Sequence, residues 1–468
     1  MATPQKVLVV GGGPAGSTVA TLLAREGLTV RLLERAHFPR YHIGESLTPS
    51  TRTVLDLMGL SGRLDAEGFQ VKRGGVFHWG ADRWVVDWSA LFGAQVRSWQ
   101  VDRAAFDRLL MENAVRNGVT AEYGVAAKQV LFGAGRPVAV GCTRDDGTSL
   151  RVDDFDFLVD ASGRSGLLSA RHLRNRRPHP VFRNVAIWGY WTNAGELPGT
   201  PEGGINVVSS PDGWYWVIPL AGGRSSVGLV SPKEHFAAHR ARHRSADDLY
   251  HALIGNSPAV AGLLRDAEPL PGVRIETDYS YAAEEFSGPG YTIIGDAACF
   301  LDPLLSTGVH LAMYSGLTAA ASIAALSRGE ATEPEALGFF EYTYRRAYTR
   351  LLALVASMYE HYEGRDGFFQ TAERLVHDDA TARTPGVAPF GEIIAGMSDL
   401  REATRSSTRV LTESLATEAF RAQRSAMTSP GGTGRPDLSA LRDSPLDDIG
   451  WRGWHLVTRP RLGLARTG

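Results

Sequence analysis

Six residues near the amino end, Gly11-Gly12-Gly13-Pro14-Ala15-Gly16, carry a G-x-G-x-x-G spacing. Such a loop suits one kind of chemistry. Its first glycine permits a tight turn, its second admits a pyrophosphate to the backbone, and its third lets a helix pack closely on a strand. Ala15 and Ser17 open the helix that follows, whose free amides and dipole favour phosphate oxygens. Glu34 lies 18 positions beyond Gly16 and ends the next apolar run. A carboxylate there accepts hydrogen bonds from ribose hydroxyls. It also repels a 2′-phosphate, which favours NAD or FAD over NADP. The competing reading is a glycine turn with no ligand. It is the weaker one, because this loop follows a strand, opens a helix and has its acid.

Other residues stand out by type. Gly295-Asp296 and Asp160-Ala-Ser-Gly163 each place an acid and a glycine at the end of an apolar strand. Lys72 is one of only four lysines among 49 basic residues, the other 45 (49 − 4) being arginine. In that background a lysine suggests a task that a guanidinium cannot do, against the alternative of a solvated surface side chain. Trp214-Tyr-Trp216-Val-Ile-Pro219 sets two tryptophans on one face of a strand and ends in a rigid proline. That makes a wall, or an ordinary core strand. Asp302-Pro-Leu-Leu-Ser-Thr307-Gly308 runs into an alanine-rich helix. Successive amides at a helix start form an anion pocket, unless Ser306 or Thr307 merely caps the helix.

These residues need elements to hold them. Val7 to Val10 reads as a strand, Ala15 to Glu26 as a helix closed by Gly27, and Leu28 to Glu34 as a second strand. Together they form a βαβ unit. Further strands are expected at 155–160 and 291–294, and the stretch 182–231 is β-rich, aromatic and broken by turns. Helices are expected over 318–327 and 337–362, and residues 427–445 read as an irregular segment. Hydrophobic residues make up 43% and charged residues 21%, which excludes disorder as the main state. A net charge of −2 gives no nucleic-acid footprint. Two cysteines exclude a disulfide scaffold and suit a reducing cytoplasm. No secretory signal opens the chain, and no stretch reads as approaching the ~20 apolar residues of a membrane span. The expectation is a cytoplasmic protein with no membrane or nucleic-acid partner and no metal site.

The glycine loop, the two strand-end acids, Arg40-Tyr-His-Ile-Gly-Glu-Ser46 and Gln100-Val-Asp-Arg103 together resemble the FAD-dependent monooxygenases of the p-hydroxybenzoate hydroxylase type, over roughly residues 5–345. Within that group, Trp214-x-Trp216-x-Ile-Pro219, Lys72 and Thr307-Gly308 resemble flavin-dependent halogenases. The resemblance implies an α/β fold: a Rossmann-like FAD-binding domain (1–75, 100–168 and 272–345), an inserted antiparallel β-sheet substrate domain (76–99 and 169–271), and a short helical C-terminal region with an irregular tail (346–468). It implies cofactor contacts from Gly11, Gly13, Ala15, Gly16, Ser17, Glu34, Arg35, Arg40, Ser46, Arg103, Asp296, Gly308 and Val309. It implies that Thr307 and Gly308 hold chloride or bromide, that Trp214, Trp216 and Pro219 keep substrate off the flavin, and that Lys72 delivers the halogen. The oxidant would be O2, and hypohalous acid would pass from the flavin to Lys72. No second G-x-G-x-x-G is visible, so reduced FAD would come from a partner flavin reductase. Tryptophan halogenases carry a glutamate just before Ser-Thr-Gly, and this chain has Leu305. That departure points to a phenolic or pyrrolic substrate, in many such enzymes tethered to an acyl or peptidyl carrier protein. Asp278-Tyr-Ser-Tyr281 and residues 72–80 look most like enzymes of that branch. The nearest rival is an FAD-dependent aromatic hydroxylase of the same fold. More distant ones are a prenyl-chain reductase and a flavoprotein without activity.

Overall fold

The computed structural model describes residues 4–179, 182–277, 280–360, 387–404, 451 and 453–466. The expected segments 278–279, 361–362 and 427–445 therefore lie outside the described residues. The chain opens as its apolar spacing requires. A strand at Lys6–Val10, a helix at Pro14–Arg25 and a strand at Thr29–Glu34 form a parallel βαβ unit. Gly27 follows the helix with a φ of +87°, the left-handed residue that ends a helix cheaply.

Lys6–Val10 is central in a six-stranded sheet. Phe157–Asp160 pairs with it in parallel on one side, followed by Tyr291–Ile293 and Ser287–Gly288. Thr29–Glu34 and Thr120–Tyr123 continue it on the other side. Its parallel strands are buried runs such as Val7-Leu8-Val9, because helices cover the sheet. Pro14–Arg25, Arg103–Arg116 and Gly308–Ser327 provide cover, and the first and last of these pack together. A three-stranded antiparallel sheet over 125–152 stands beside it.

An eight-stranded sheet is the second layer. Its main path runs from Asp82–Asp87 through Gly74–Trp79, Ile205–Ser210, Gly213–Pro219, Arg224–Pro232 and Asn184–Thr192 to Glu268–Pro269. It is antiparallel except where Ile205–Ser210 runs parallel to Gly74–Trp79. The Gly213–Pro219 strand alternates as a two-sided strand must. Trp214 and Trp216 join the main core, whereas Tyr215 and Val217 join a second core under the helices at 246–263.

Two findings differ from the sequence expectation. Gly308–Ser327 is 20 residues long with a mean hydropathy of 1.4, long and apolar enough to cross a membrane, and 94% of its apolar window is buried inside the protein. It is the core helix, packed against Pro14–Arg25 and against a further helix at Glu333–Glu360, rather than an exposed span. The C-terminal region, expected to be helical with an irregular tail, also forms an antiparallel hairpin of Trp454–Val457 and Gly463–Arg466 against that core helix. The Leu462 amide donates to Glu26 Oε1 at 2.9 Å, tying the hairpin to the first helix.

Candidate active site

One cavity of about 1390 Å³ runs from the glycine loop to the large sheet. It exceeds the ~300–1,000 Å³ of a pocket for a drug-sized ligand and is of dinucleotide scale. Gly11, Gly13, Ala15, Glu34, Arg35, Arg40, Ser46, Arg103, Asp296, Gly308 and Val309 all line it, as do Trp214 and Trp216. Residues up to 298 positions apart in sequence thus share one wall.

The three loop glycines have separate reasons. Gly11 has a φ of +107°, and a Cβ there would sit 2.2 Å from the Ala161 carbonyl oxygen. A Cβ on Gly16 would sit 1.8 Å from the Gly11 oxygen, so this glycine serves the close packing of helix on strand. Gly13 is different: a Cβ there meets nothing nearer than Arg40 at 3.5 Å. Its open face is the cavity, where a phosphate can approach. Glu34 is buried, and its two oxygens accept from the Gly12 amide at 2.7 Å and the Ala36 amide at 2.8 Å. Gly16 and Ser17 do not line the cavity. The Ser17 hydroxyl donates inward to the Gly12 carbonyl at 3.1 Å, so it shapes the loop from behind.

Two polar groups at the cavity wait for a partner. The carboxylate of Asp296 accepts no hydrogen bond among the described residues, and burial pushes its pKa up to about 6 despite Arg164, Arg103 and Arg176 nearby. Arg40 Nε is buried and makes no hydrogen bond. An open phosphate cradle, an orphan acceptor and an orphan donor fit a bound dinucleotide. Asp160, the other strand-end acid, is spent on structure: it accepts from Ser162 N at 3.0 Å and Leu168 N at 2.6 Å. Arg103 is mostly spent too. It forms a two-point ion pair with Asp107 at 2.9 and 3.1 Å and donates to the Ile43 and Gly44 carbonyls, which fixes the 43–46 loop.

That loop leads to Lys72. Residues 45–47 pair with 99–101, and Ser98–Gln100 pairs in turn with Gln70–Lys72. Strand alternation places Ser46, Ser98, Gln100 and Lys72 on one face and Glu45 on the other. Lys72 is 2% exposed, so it is no surface lysine. Nζ donates to Ser46 Oγ at 2.7 Å and to the Leu47 carbonyl at 3.1 Å, and lies 4.8 Å from the centre of the Trp88 ring. Burial alone lowers its pKa from 10.5 to about 7. Three polar atoms around it, Ser98 Oγ, Gln100 Oε1 and Trp88 Nε1, are buried without a hydrogen-bond partner. Lys72 does not line the large cavity; Ser46 stands between them.

Both tryptophans are fixed by hydrogen bonds, Trp214 to a partner far away in sequence and Trp216 to one on the neighbouring strand. Trp214 Nε1 donates to the Tyr359 hydroxyl at 2.6 Å, and Tyr359 donates to Asp302 Oδ2 at 2.9 Å. Trp216 Nε1 donates to Ser226 Oγ at 3.2 Å. Pro219 is not at the cavity; Ile218, one residue earlier, lines it instead. The turn after Asp302 holds Ser306 at a φ of +57°, and the core helix starts at Gly308 with no side chain capping it. The capping alternative for Ser306 and Thr307 therefore fails, and the first amides of the helix stay free. Thr307 is buried just behind the lining residues Ser306 and Gly308.

Sequence reasoning missed Tyr359, and it missed Glu45, which is buried at the cavity and accepts from the Tyr190 hydroxyl at 2.7 Å. Glu45 stands in the Arg40–Ser46 motif, and an acid between Gly44 and Ser46 is its only local signal. Tyr359 carries no signal, because its partners are 57 and 145 positions away.

A sequence model of the tryptophan-halogenase family matches residues 6–98 and 92–385. A tryptophan 2-halogenase from Chondromyces crocatus is 42% identical over 403 residues, covering 85% of this chain and 77% of its own. The sulochrin halogenase of Aspergillus terreus is 39% identical, over 76% of this chain and 70% of its own. Among solved structures, the myxobacterial chondrochloren halogenase, a variant FAD-dependent halogenase, superposes with a TM-score of 0.71 at 35% identity, over 85% of this chain and 91% of its own. Enzymes of this kind use FAD, halide and O2, and typically take reduced flavin from a separate reductase. A phosphate cradle, a wall of two tryptophans and a buried lysine in one chain, matched over most of its length, identify this protein as a member of the tryptophan-halogenase family of flavin-dependent halogenases.

Proposed function

We propose that this halogenase forms hypohalous acid beside the flavin and uses Lys72 to pass the halogen to an electron-rich aromatic ring. When bound, reduced FAD supplies the two electrons with which O2 oxidises halide. Gly13 and the first amides of the Pro14–Arg25 helix hold its phosphates, Glu34 its ribose, and Asp296 a further hydroxyl. The uncapped start of the core helix, with Thr307 and Gly308, holds the halide. Trp214 and Trp216, held at Tyr359 and Ser226, keep the ring from the flavin.

The observation that carries the reading is Lys72 itself. Its pKa near 7 leaves a large neutral fraction at neutral pH. Two of its donors are spent on Ser46 and Leu47, which leaves the nitrogen lone pair for hypohalous acid. The orphan atoms of Ser98, Gln100 and Trp88 offer the incoming ring its polar contacts. An arginine would stay charged and have no such lone pair.

The test is halogenation by Lys72→Ala and Lys72→Arg with reductase, FAD and halide. Both variants are expected to bind FAD and to release trappable hypohalous acid, scored with monochlorodimedone, while losing ~100-fold or more in product, about 2.7 kcal/mol of barrier. Near wild-type product from Lys72→Ala would end the proposal.

For the substrate, we propose a phenolic or pyrrolic ring, free or on a carrier protein. Leu305 stands where the tryptophan branch has its glutamate, and it is buried in the turn before Ser306. A phenol ionises near pH 10 and needs less help from a fixed carboxylate than indole does. A specific observation favours a second reading, free tryptophan: the relative from Chondromyces crocatus at 42% identity is named for it. The relative from Aspergillus terreus is named for a different substrate. Offering wild type free tryptophan separates them, since chlorotryptophan would move the substrate to the indole class.

A further inference from the structure

On the opposite face of the 45–47 segment from Lys72, a chain of hydroxyls runs inward from the surface. Tyr41 is 45% exposed. Its hydroxyl accepts from Trp188 Nε1 at 2.9 Å, so its own proton is free to point to the Tyr190 hydroxyl, 3.1 Å away. Tyr190 donates to Glu45 Oε1 at 2.7 Å. Glu45 is 4% exposed, lines the cavity, and its other oxygen, Oε2, is buried without a hydrogen-bond partner. All the donors thus run one way, from an exposed hydroxyl to an orphan carboxyl oxygen beside Trp216 and Ser226.

Halide oxidation needs such a route. One reduced flavin, one O2, one halide ion and one proton give oxidised flavin, one hypohalous acid and one water. The uncoupled reaction, reduced flavin and O2 to oxidised flavin and hydrogen peroxide, takes up no proton. The halogenating path alone draws one from solvent into a cavity walled by tryptophans.

We propose that Tyr41, Tyr190 and Glu45 form the relay that brings this proton in. Glu45 gives its carboxyl proton to the reaction. It is recharged by the Tyr190 hydroxyl proton, Tyr190 by that of Tyr41, and Tyr41 by solvent, so each O–H bond broken is matched by one formed. Burial holds Glu45 above the usual carboxylate range, while Tyr190, Ser226 and Arg103 favour its ionised form and Asp102 opposes it. Arg224 lies over the Tyr190 ring and Arg274 over the Tyr41 ring, 5.9 and 3.8 Å from their centres. The Arg274 cation favours release of the Tyr41 proton towards Tyr190. The relay rests on the halogenase reading above but not on the identity of the aromatic substrate.

The experiment mixes pre-reduced FAD and enzyme with O2 and bromide, and reads the ratio of hypohalous acid to hydrogen peroxide. Tyr190→Phe and Glu45→Gln are expected to shift the ratio towards peroxide by about tenfold or more, with Glu45→Asp restoring part of it. Tyr41→Phe, at the exposed end, shifts it in the same direction by less. Infrared difference titration of the flavin-free protein supplies a second readout. A protonated-carboxyl band should vanish in Glu45→Gln, and its midpoint should move to higher pH in Tyr190→Phe, which loses the donor that favours the carboxylate. An unchanged ratio in both Tyr190→Phe and Glu45→Gln, with wild type halogenating, overturns the relay alone. A wild type that makes no hypohalous acid overturns the halogenase reading and the relay with it. A carboxyl band indifferent to Glu45→Gln also overturns the relay.

Discussion

Replacing Lys72 by methionine should stabilise the protein in mild acid and do so less and less as the pH rises. Methionine keeps the length and removes the charge. The structure sets the size of the effect. Burial lowers the lysine pKa from 10.5 to about 7, which at ~1.4 kcal/mol per tenfold change amounts to about 5 kcal/mol. Below pH ~7 both the folded and the unfolded chain carry the ammonium, and folding bears the whole cost of burying it. Between ~7 and ~10.5 the unfolded chain holds a proton that the folded chain has released, so wild-type stability rises with pH. Above that range both forms are neutral and the cost is gone. Methionine leaves the Ser46 hydroxyl and the Leu47 carbonyl without their donor, at roughly 1–3 kcal/mol. The net gain for Lys72→Met is therefore about 2–4 kcal/mol near pH 6, turning to a small loss near pH 10. Urea unfolding of both proteins at several pH values, followed by tryptophan fluorescence, measures it. A difference that stays constant within ~1 kcal/mol from pH 6 to 10 would refute the argument that burial tunes this amine. The same variant should make no halogenated product, so stability and activity move in opposite directions.

Gly13→Ala should leave the stability of the flavin-free protein nearly unchanged and weaken FAD binding by at least tenfold, because its new methyl points into the cavity; fluorescence titration with FAD reads this. Gly16→Ala should instead cost roughly 3 kcal/mol or more of stability, since its Cβ would lie 1.8 Å from the Gly11 oxygen; thermal unfolding without FAD distinguishes the two. Tyr359→Phe removes the link between Trp214 and Asp302 and should cost roughly 1–3 kcal/mol while raising hypohalous acid leakage at a given rate of flavin oxidation. Without a reductase, the enzyme and its substrate should not consume NADPH; rapid, product-coupled loss of absorbance would favour the hydroxylase chemistry instead.

The parts legible in the sequence were those whose signal is local. The glycine loop, its helix and Glu34 fall within 24 residues, and a strand–turn–helix needs each type in its place. The tryptophan strand was legible for the same reason, since a two-residue alternation fixes which side chains share a face. Lys72 was marked by its type alone. Its burial was not legible, because it depends on three segments, near 46, 72 and 98, that come together only in space. Ser17 and Pro219 show the reverse error: each belongs to a motif, but the pleat or the helix turns its side chain away from the cavity. The core helix escaped notice as a long apolar stretch because His310, Tyr314, Ser315 and Thr318 interrupt it. Their polar atoms are satisfied inside the fold by Ser50, Asp399 and the helix's own carbonyls.

The short run Glu45-Ser46-Leu47 separates two side-chain networks with one thickness of chain. Glu45 and Ser46 both border the large cavity, but their side chains take different partners, Tyr190 for Glu45 and the Lys72 amine for Ser46. A substitution at one position therefore disturbs one of the two networks. A one-residue insertion or deletion would instead turn Glu45 towards the lysine and take Ser46 away from it. The segment should therefore tolerate spelling changes and forbid changes of length. Arg103, which anchors the carbonyls of Ile43 and Gly44 just upstream, acts as the clip that keeps count.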